Sequence, residues 1–257
     1  MHYAIIAAGE GSRLRQEGAK LPKPLIPVGG QPMLGRLISL FEAMGSESIS
    51  VICNGQSPQV ADYLDQLAAS VPGLRYVVQS TPSSMHSLSV LSSIIPEGRF
   101  CLTTVDTIFR LSDFRTFIQA CIHMQTADGC FAVTPYVDDE KPLWVAVQPD
   151  GERPLITGFY DQEGQMPHGA PRLVSGGIYC LDTRTAFPVL QQCLDQGQSR
   201  MRNFQRALLE AGLRIDACII PKIMDIDHLN DLAKAEQWLS SPELLADAPV
   251  PDKPDAL

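Results

Sequence analysis

Apolar and polar positions along the first half of the chain follow a repeating pattern. Residues 3–8 form a continuous apolar run, which reads as a strand covered on both faces. Leu34, Leu37, Ile38, Phe41 and Met44 then recur at helical spacing, and Gly45 ends that helix. Residues 48–53 predict a strand. Residues 58–70 predict a helix carrying Val60, Tyr63, Leu64 and Leu67 on one face. A strand over 74–78, a helix over 84–95 and a strand over 100–105 follow. This β-α-β-α-β-α-β order predicts a parallel sheet with helices on both faces. In such sheets ligands sit beyond the carboxyl ends of the strands.

The pattern changes after a helix over 111–124. Strands are expected at 129–136, 143–148, 155–160 and 173–181, with turn-rich links. The link at 167–171 is a loop placed to cover a site. Helices over 182–194 and 201–211, strands over 215–220 and 222–225, and a closing helix over 228–240 complete the reading. The expectation is one α/β domain over 1–241 with a mixed central sheet. Its halves are 1–125 and 126–241, and a flexible, proline- and acid-containing tail occupies 242–257. No internal repeat is visible, hexapeptide periods included.

Composition narrows the function classes. A chain of 257 residues with 45% hydrophobic content fits one large globular domain. A formal net charge of −9 argues against nucleic acid as partner. It leaves room for a nucleotide substrate, because local cations can overcome the global field. The seven cysteines contain no C-x-x-C pair, which excludes the common zinc and redox motifs. Scattered on apolar segments, they read as reduced buried thiols. No apolar run is long enough to span a bilayer, and no basic leader precedes the first strand, so the expected location is cytoplasmic without membrane contact.

Candidate chemistry begins where the first strand ends. Ala8, Gly9, Gly11, Ser12 and Arg13 form a small-residue loop, followed by Lys23 held between Pro22 and Pro24. Glycines let backbone N–H groups approach phosphate oxygens, and Arg13 and Lys23 add positive charge. The string is not a Walker loop, since no Gly-Lys-Ser/Thr follows. It is not the dinucleotide fingerprint, since Leu14 stands where the third glycine belongs. Two acidic features come later. Asp106 follows the fourth strand, and Asp225 and Asp227 alternate on an extended segment, where side chains two apart share a face.

Taken together, Gly9, Gly11, Arg13, Leu14, Pro22, Lys23, Leu25, Pro27 and Val28 resemble the signature of the sugar-phosphate nucleotidyltransferases, G-x-G-x-R-[LM] with a downstream P-K-P/A-L-x-P-V. The resemblance implies a three-layer α/β/α, Rossmann-like (GT-A-like) fold. It also implies Mg²⁺, a nucleoside triphosphate and a phosphorylated acceptor as ligands. Val105-Asp106-Thr107-Ile108-Phe109 looks like the family's G-D-x-x-F metal segment. Asp225 to Leu232 looks like its late acidic segment, in which members differ over the ligating position, and Asp227 is favoured over Asp225. Gln79 is similar to the family's base-reading glutamine. Ser175-Gly176-Gly177-Ile178-Tyr179 resembles N-A-G-I-Y, in which Gly177 faces the sugar. Asp161 stands at the sugar-binding acidic position of E-K-P.

The departures fall on one side of the site. Ser84-Met85-His86 replaces a glycine loop near the base, Ser175 replaces asparagine, and Gln162 replaces the lysine that often meets the acceptor phosphate. The implied reaction is attack of an acceptor phosphate on the α-phosphorus of the nucleotide, with Arg13, Lys23 and Asp106 as the catalytic set. The favoured acceptor is a sugar 1-phosphate. Two rivals are kept: a cytidylyl- or guanylyltransferase acting on a non-sugar phosphate (phosphocholine, a polyol phosphate or molybdopterin), and a non-catalytic nucleotide- or sugar-binding regulator. A homo-oligomer is compatible with either.

Overall fold

The computed structural model describes residues 1–241; the expected flexible tail, 242–257, lies outside the described residues. Nine strands build one sheet. The first four are β1 (His2–Ala7), β2 (Ser48–Cys53), β3 (Leu74–Val78) and β4 (Arg99–Thr104). The other five are β5 (Gly129–Thr134), β6 (Trp144–Gln148), β7 (Leu155–Tyr160), β8 (Val174–Asp182) and β9 (Ile215–Ile219). Their order across the sheet is β3-β2-β1-β4-β8-β5-β9-β7-β6. The strands β1 to β4 pair in parallel, as the alternation predicts. Beyond β4 the sheet is mixed. β8 lies antiparallel between β4 and β5, β9 runs parallel to β5, and β7 and β6 form an antiparallel edge.

Side-chain alternation along β1 shows why its run is apolar throughout. Tyr3, Ile5 and Ala7 enter one hydrophobic cluster; Ala4 and Ile6 enter the other, on the opposite face. The first face is covered by α2 (Met33–Ala43), α3 (Pro58–Ala68) and α5 (Leu111–Ile122). The second is covered by α4 (Ser84–Leu91), α6 (Thr183–Asp195) and α7 (Met201–Glu210). A short helix, α1 (Ser12–Gln16), follows β1, and a closing helix, α8, spans Leu229–Leu239. β8 reaches the sheet centre because it too is apolar on both faces: Ile178 and Cys180 join one cluster, Tyr179 and Leu181 the other.

Two expected elements are shorter than their apolar pattern. Regular helix in α4 stops at Leu91 rather than Ile95, where the hydroxyls of Ser92 and Ser93 bond the carbonyls of Ser89 and Val90. Such local side-chain bonds compete with helix continuation. The late strand shrinks to Met224–Asp225, paired antiparallel with Thr107–Ile108. All seven cysteines are buried free thiols, and Cys180 faces Cys101 and Cys130 on neighbouring strands. Among the described residues no helix is long and apolar enough to cross a membrane.

An aromatic group anchors the first face. Tyr3 stacks on Phe41 at 4.4 Å, and Phe114 lies 4.8 Å from Phe109 and 5.5 Å from Phe41. Phe114 is fully buried, so Phe114→Ala is expected to cost about 3–5 kcal/mol of stability. Urea unfolding followed by circular dichroism reads this as a lowered midpoint at unchanged slope.

Candidate active site

The donor loop starts from the backbone. Gly11 has φ 59°, and a Cβ there would lie 2.9 Å from Lys23 Cβ. A side chain is therefore excluded on two grounds, left-handed backbone and the close approach of Lys23. At Gly9 an added Cβ meets nothing within 4 Å. The loop is fixed from below by Asn54 at the end of β2, whose Nδ2 donates to the Ala8 carbonyl at 2.9 Å. Its Oδ1 accepts from the Ser80 hydroxyl at 2.7 Å and the Gln56 N–H at 2.9 Å. Asn54 was not singled out by the motif. The only sign of it in the sequence is an amide residue just past an apolar strand.

Lys23 opens a single 3₁₀ turn, Lys23–Leu25, between the two prolines. Its side chain is buried and points into the cleft. Nζ donates to Asp106 Oδ2 at 2.6 Å and to Asp227 Oδ1 at 2.9 Å, and Arg13 Nη1 donates to Asp227 Oδ2 at 2.8 Å. Burial by itself would depress the Lys23 ammonium; the two carboxylates outweigh it and raise it above the ordinary lysine value. Burial likewise pushes Asp106 up, but the Lys23 charge and hydrogen bonds from Lys23 and Thr104 leave it below the usual carboxylate range.

The two acidic segments meet through the small antiparallel pair of Thr107–Ile108 with Met224–Asp225, in which Asp225 sits opposite Thr107. The Ile226 N–H also bonds the Asp106 carbonyl at 3.1 Å. Asp225 stands at the open surface of the cleft and accepts from the Thr107 hydroxyl. Desolvation by the cleft walls and the Asp106 charge push its carboxyl up to about 7, against the pull of Lys23 and Thr107. Neither Asp225 nor Asp227 is needed as cap of the closing helix. His228 and Asp231 form that capping box, with the His228 N–H on Asp231 Oδ2 at 2.9 Å. Asp106, Asp225 and Asp227 are thus the oxygen donors the centre offers to a hard cation.

Three cavities open around these carboxylates. One of about 460 Å³ is lined by Ala8, Gly9, Gly11, Ser12, Arg13 and Lys23, together with Ser83, Ser84 and Asp106. A second, about 580 Å³, is lined by Ser175, Gly177, Tyr179 and Asp225, and shares Pro82, Ser83, Ser84 and Thr104 with the first. A third, about 520 Å³, holds both Asp225 and Asp227 among several other acids. Gly177 has φ 72° and lies where the β8–β5 register breaks, and a Cβ there would meet Thr107 Oγ1 at 3.2 Å. A Cβ at Gly176 would lie 2.3 Å from Ile223 Cδ1.

Two of the expected site residues stand outside these cavities. Gln79 is exposed at the end of β3, with its N–H on the Cys53 carbonyl, and does not line the donor cavity; Thr81, Pro82 and Ser83 form that wall. The strand ends at Val78, as the pattern predicts, so Gln79 already belongs to the connection that follows. Asp161 does not line the second cavity either, because its carboxylate is paired with Arg202 at 2.6 Å and Arg206 at 3.0 Å. Gln162 heads a 3₁₀ capping box with Gln165. The loop at 167–171 lines none of the three cavities. Gln205, absent from the motif reading, is buried and links the Ser175 hydroxyl (3.1 Å) to the Tyr179 hydroxyl (3.1 Å).

Residues 3–211 match the MobA-like NTP transferase domain. The chain belongs to this nucleotidyltransferase family. Its relatives include the UTP–glucose-1-phosphate uridylyltransferase AglF of Haloferax volcanii, 28% identical over 247 residues, covering 93% of this chain and 96% of that one. The bifunctional protein GlmU of Pelotomaculum thermopropionicum is 24% identical over 246 residues, or 91% of this chain. The chain spans about half the length of the GlmU relatives, 51% in that case. Among solved structures, the inositol-1-phosphate CTP transferase of T. maritima superimposes with a TM-score of 0.70 at 15% identity, covering 93% and 94% of the two chains. That likeness is one of fold.

Gly11 carries the first test of this geometry. Gly11→Ala is expected to cost about 1–2 kcal/mol from its left-handed backbone alone, and to displace Lys23. Thermal unfolding measures the first effect. Loss of the Lys23–Asp106 contact in a crystal structure of the variant measures the second.

Proposed function

We propose that the chain transfers a nucleoside monophosphate from a nucleoside triphosphate to a phosphorylated small-molecule acceptor, a sugar 1-phosphate, releasing pyrophosphate and an NDP-sugar. The observation that carries this reading is the convergence of Arg13, Lys23 and Asp106 on one cavity that joins a second cavity across Ser83, Ser84 and Thr104. Uridylyl transfer to glucose 1-phosphate, the activity for which the relative AglF is named, supports the reaction class.

In this reading the triphosphate occupies the cavity of the glycine loop. The free amides of residues 9–12 and the Arg13 guanidinium bind its β- and γ-phosphates. Lys23 contacts the α-phosphate and the approaching oxygen. A phosphate oxygen is already nucleophilic, so no general base is required. The work of the site is to bring two anions together in line and to stabilise charge on the departing pyrophosphate.

The residues fit a divalent cation. Asp106 and Asp227 face each other across Lys23, and Asp225 is paired with the segment that follows Asp106. Among the described residues no set of three His, Cys, Asp or Glu side chains forms a cage by itself; Mg²⁺ typically takes one or two carboxylates and completes its shell with phosphate oxygens and water. Asp106 with Asp227, or with Asp225, would hold it. When bound, the ion supplies charge neutralisation between donor and acceptor phosphates. Arg13 and Lys23, held by carboxylates in the free protein, are then available to phosphate oxygens.

The deciding experiment is pyrophosphate release from a panel of triphosphates against acceptor phosphates, with sugar 1-phosphates, inositol 1-phosphate and phosphocholine as arms. Turnover with a sugar 1-phosphate is the expected result; nucleotide binding without release on any acceptor would sink the proposal. Lys23→Ala and Asp106→Ala are each expected to lower turnover by roughly 10²–10³ at unchanged fold. Comparing the Mg²⁺ dependence of Asp225→Asn and Asp227→Asn assigns the second ligand. The variant needing more metal for half-maximal rate marks it, and Asp227 is the expected one.

A further inference from the structure

The family signature covers residues 9–14 and 22–28 and assigns nothing to the connection between them. That connection carries Glu17, at the end of α1 and one helical turn beyond Arg13. Both side chains reach the same distant segment, the turn that leads into α8. Arg13 Nη1 donates to Asp227 Oδ2 at 2.8 Å. Glu17 Oε2 accepts from the Leu229 N–H at 2.7 Å, and Oε1 pairs with His228 Nδ1. Leu229 lies 212 residues further along the chain. The N–H groups of Asp227 and His228 go to Asp231 Oδ2, at 3.2 and 2.9 Å, and so tie the turn to its own helix. The Leu229 N–H ties it to the donor segment.

We infer that Glu17 is a positioning residue: it keeps the acidic turn of Asp225 to Asp227 seated against the donor loop while phosphate oxygens occupy Arg13 and Lys23. This rests on the transfer reaction proposed above. In the free protein the donor segment grips the turn in two ways. Arg13 and Lys23 hold the Asp227 carboxylate from the cleft side. Glu17 holds the Leu229 backbone and the His228 ring just beyond it. A phosphate oxygen competes with Asp227 for the two cations, because it is an anionic acceptor of the same kind. It does not displace Glu17, an acceptor that carries negative charge itself. Loading the cleft therefore loosens the first grip and leaves the second.

A second contact of the same chemistry separates positioning from plain attachment of α8. Glu236 Oε1 accepts from the Gly29 N–H at 2.9 Å, again joining the donor segment to α8 by a carboxylate and a backbone amide. It does so about two turns further along the helix than Leu229, away from the acidic turn. If Glu17 served only to fasten the helix, loss of either glutamate would have the same consequences. A positioning role makes the acidic turn sensitive to Glu17 alone.

Hydrogen exchange at the Ile226 amide, which bonds the Asp106 carbonyl at 3.1 Å, reads the seating of the turn without turnover. The probe is inorganic tripolyphosphate with Mg²⁺, added to the full chain; it offers phosphate oxygens to Arg13 and Lys23 without a base or an acceptor. With the probe present, Glu17→Ala is expected to speed exchange at Ile226 about ten-fold. Glu17→Gln should stay close to the unmodified chain, since its amide oxygen still accepts from Leu229. Glu17→Asp, one methylene short, should behave like the alanine variant, and it reports even where Glu17→Ala folds poorly. Glu236→Ala should lower the thermal midpoint and leave the Ile226 amide unchanged. In pyrophosphate release, Glu17→Ala should raise the Mg²⁺ needed for half-maximal rate about five-fold, with acceptor KM within two-fold. Unchanged Ile226 exchange in Glu17→Ala and Glu17→Asp, or an equal rise in Glu236→Ala, overturns the inference. So does rescue by aspartate but not by glutamine, which would make charge rather than reach the cause. A loosened turn in Glu17→Ala with no transfer to any acceptor rejects the proposed reaction alone; transfer with an undisturbed turn rejects the positioning role alone.

Discussion

The ammonium of Lys23, shared between Asp106 and Asp227, ties together three parts of the chain that are far apart in sequence: the donor loop, the end of β4 and the late acidic turn. A buried ammonium is stable only with partners, and removing one carboxylate of such a set leaves charge uncompensated. The surrounding backbone answers to this need. Gly11 lacks a side chain because Lys23 passes within contact distance. Pro22 and Pro24 hold the turn that aims it. The pairing of Thr107 with Asp225 brings the second acidic segment within reach.

This arrangement is balanced but not neutral. Arg13 and Lys23 face Asp106 and Asp227, and Asp225 is the carboxylate left over. Its raised pKa follows, since desolvation and the Asp106 charge both oppose a third negative group. A cleft in that condition favours any cation that can join the carboxylates and any polyanion that can take Arg13 and Lys23. A metal–triphosphate complex does both at once, which is the physical reason that the free-state ion pairs and the proposed reaction are compatible. The overall charge of −9 is no obstacle to the proposed reaction, because Arg13 and Lys23 both line the cavity proposed for the triphosphate.

What the sequence disclosed and what it hid divide along one line. Features built from contiguous residues were legible: the parallel β-α alternation, the glycine loop, the proline-flanked lysine and the two acidic segments. Features that exist only once distant segments meet were not. Asn54 supports Ala8 from the neighbouring strand, and Gln205 links Ser175 to Tyr179 from a helix, and neither has a local signature. The insertion of β8 beside β4 depends on burial of both its faces, which apolar content permits but does not place. Gln79 marks the limit of a motif position. It is exposed just past the end of its strand, while Thr81, Pro82 and Ser83 line the cavity of the glycine loop; a place in a motif does not by itself fix where the side chain stands.

The two sides of the cleft differ in how tightly their backbone is constrained. At Gly11 a left-handed backbone and the approach of Lys23 exclude a side chain, and Lys23 is held in turn by two carboxylates. On the other side Asp161 is paired with Arg202 and Arg206, and Gln162 caps a 3₁₀ turn. Those contacts lie near the surface, where exchange of one side chain costs little. The donor end has no comparable freedom, and it is there that this chain keeps the family signature.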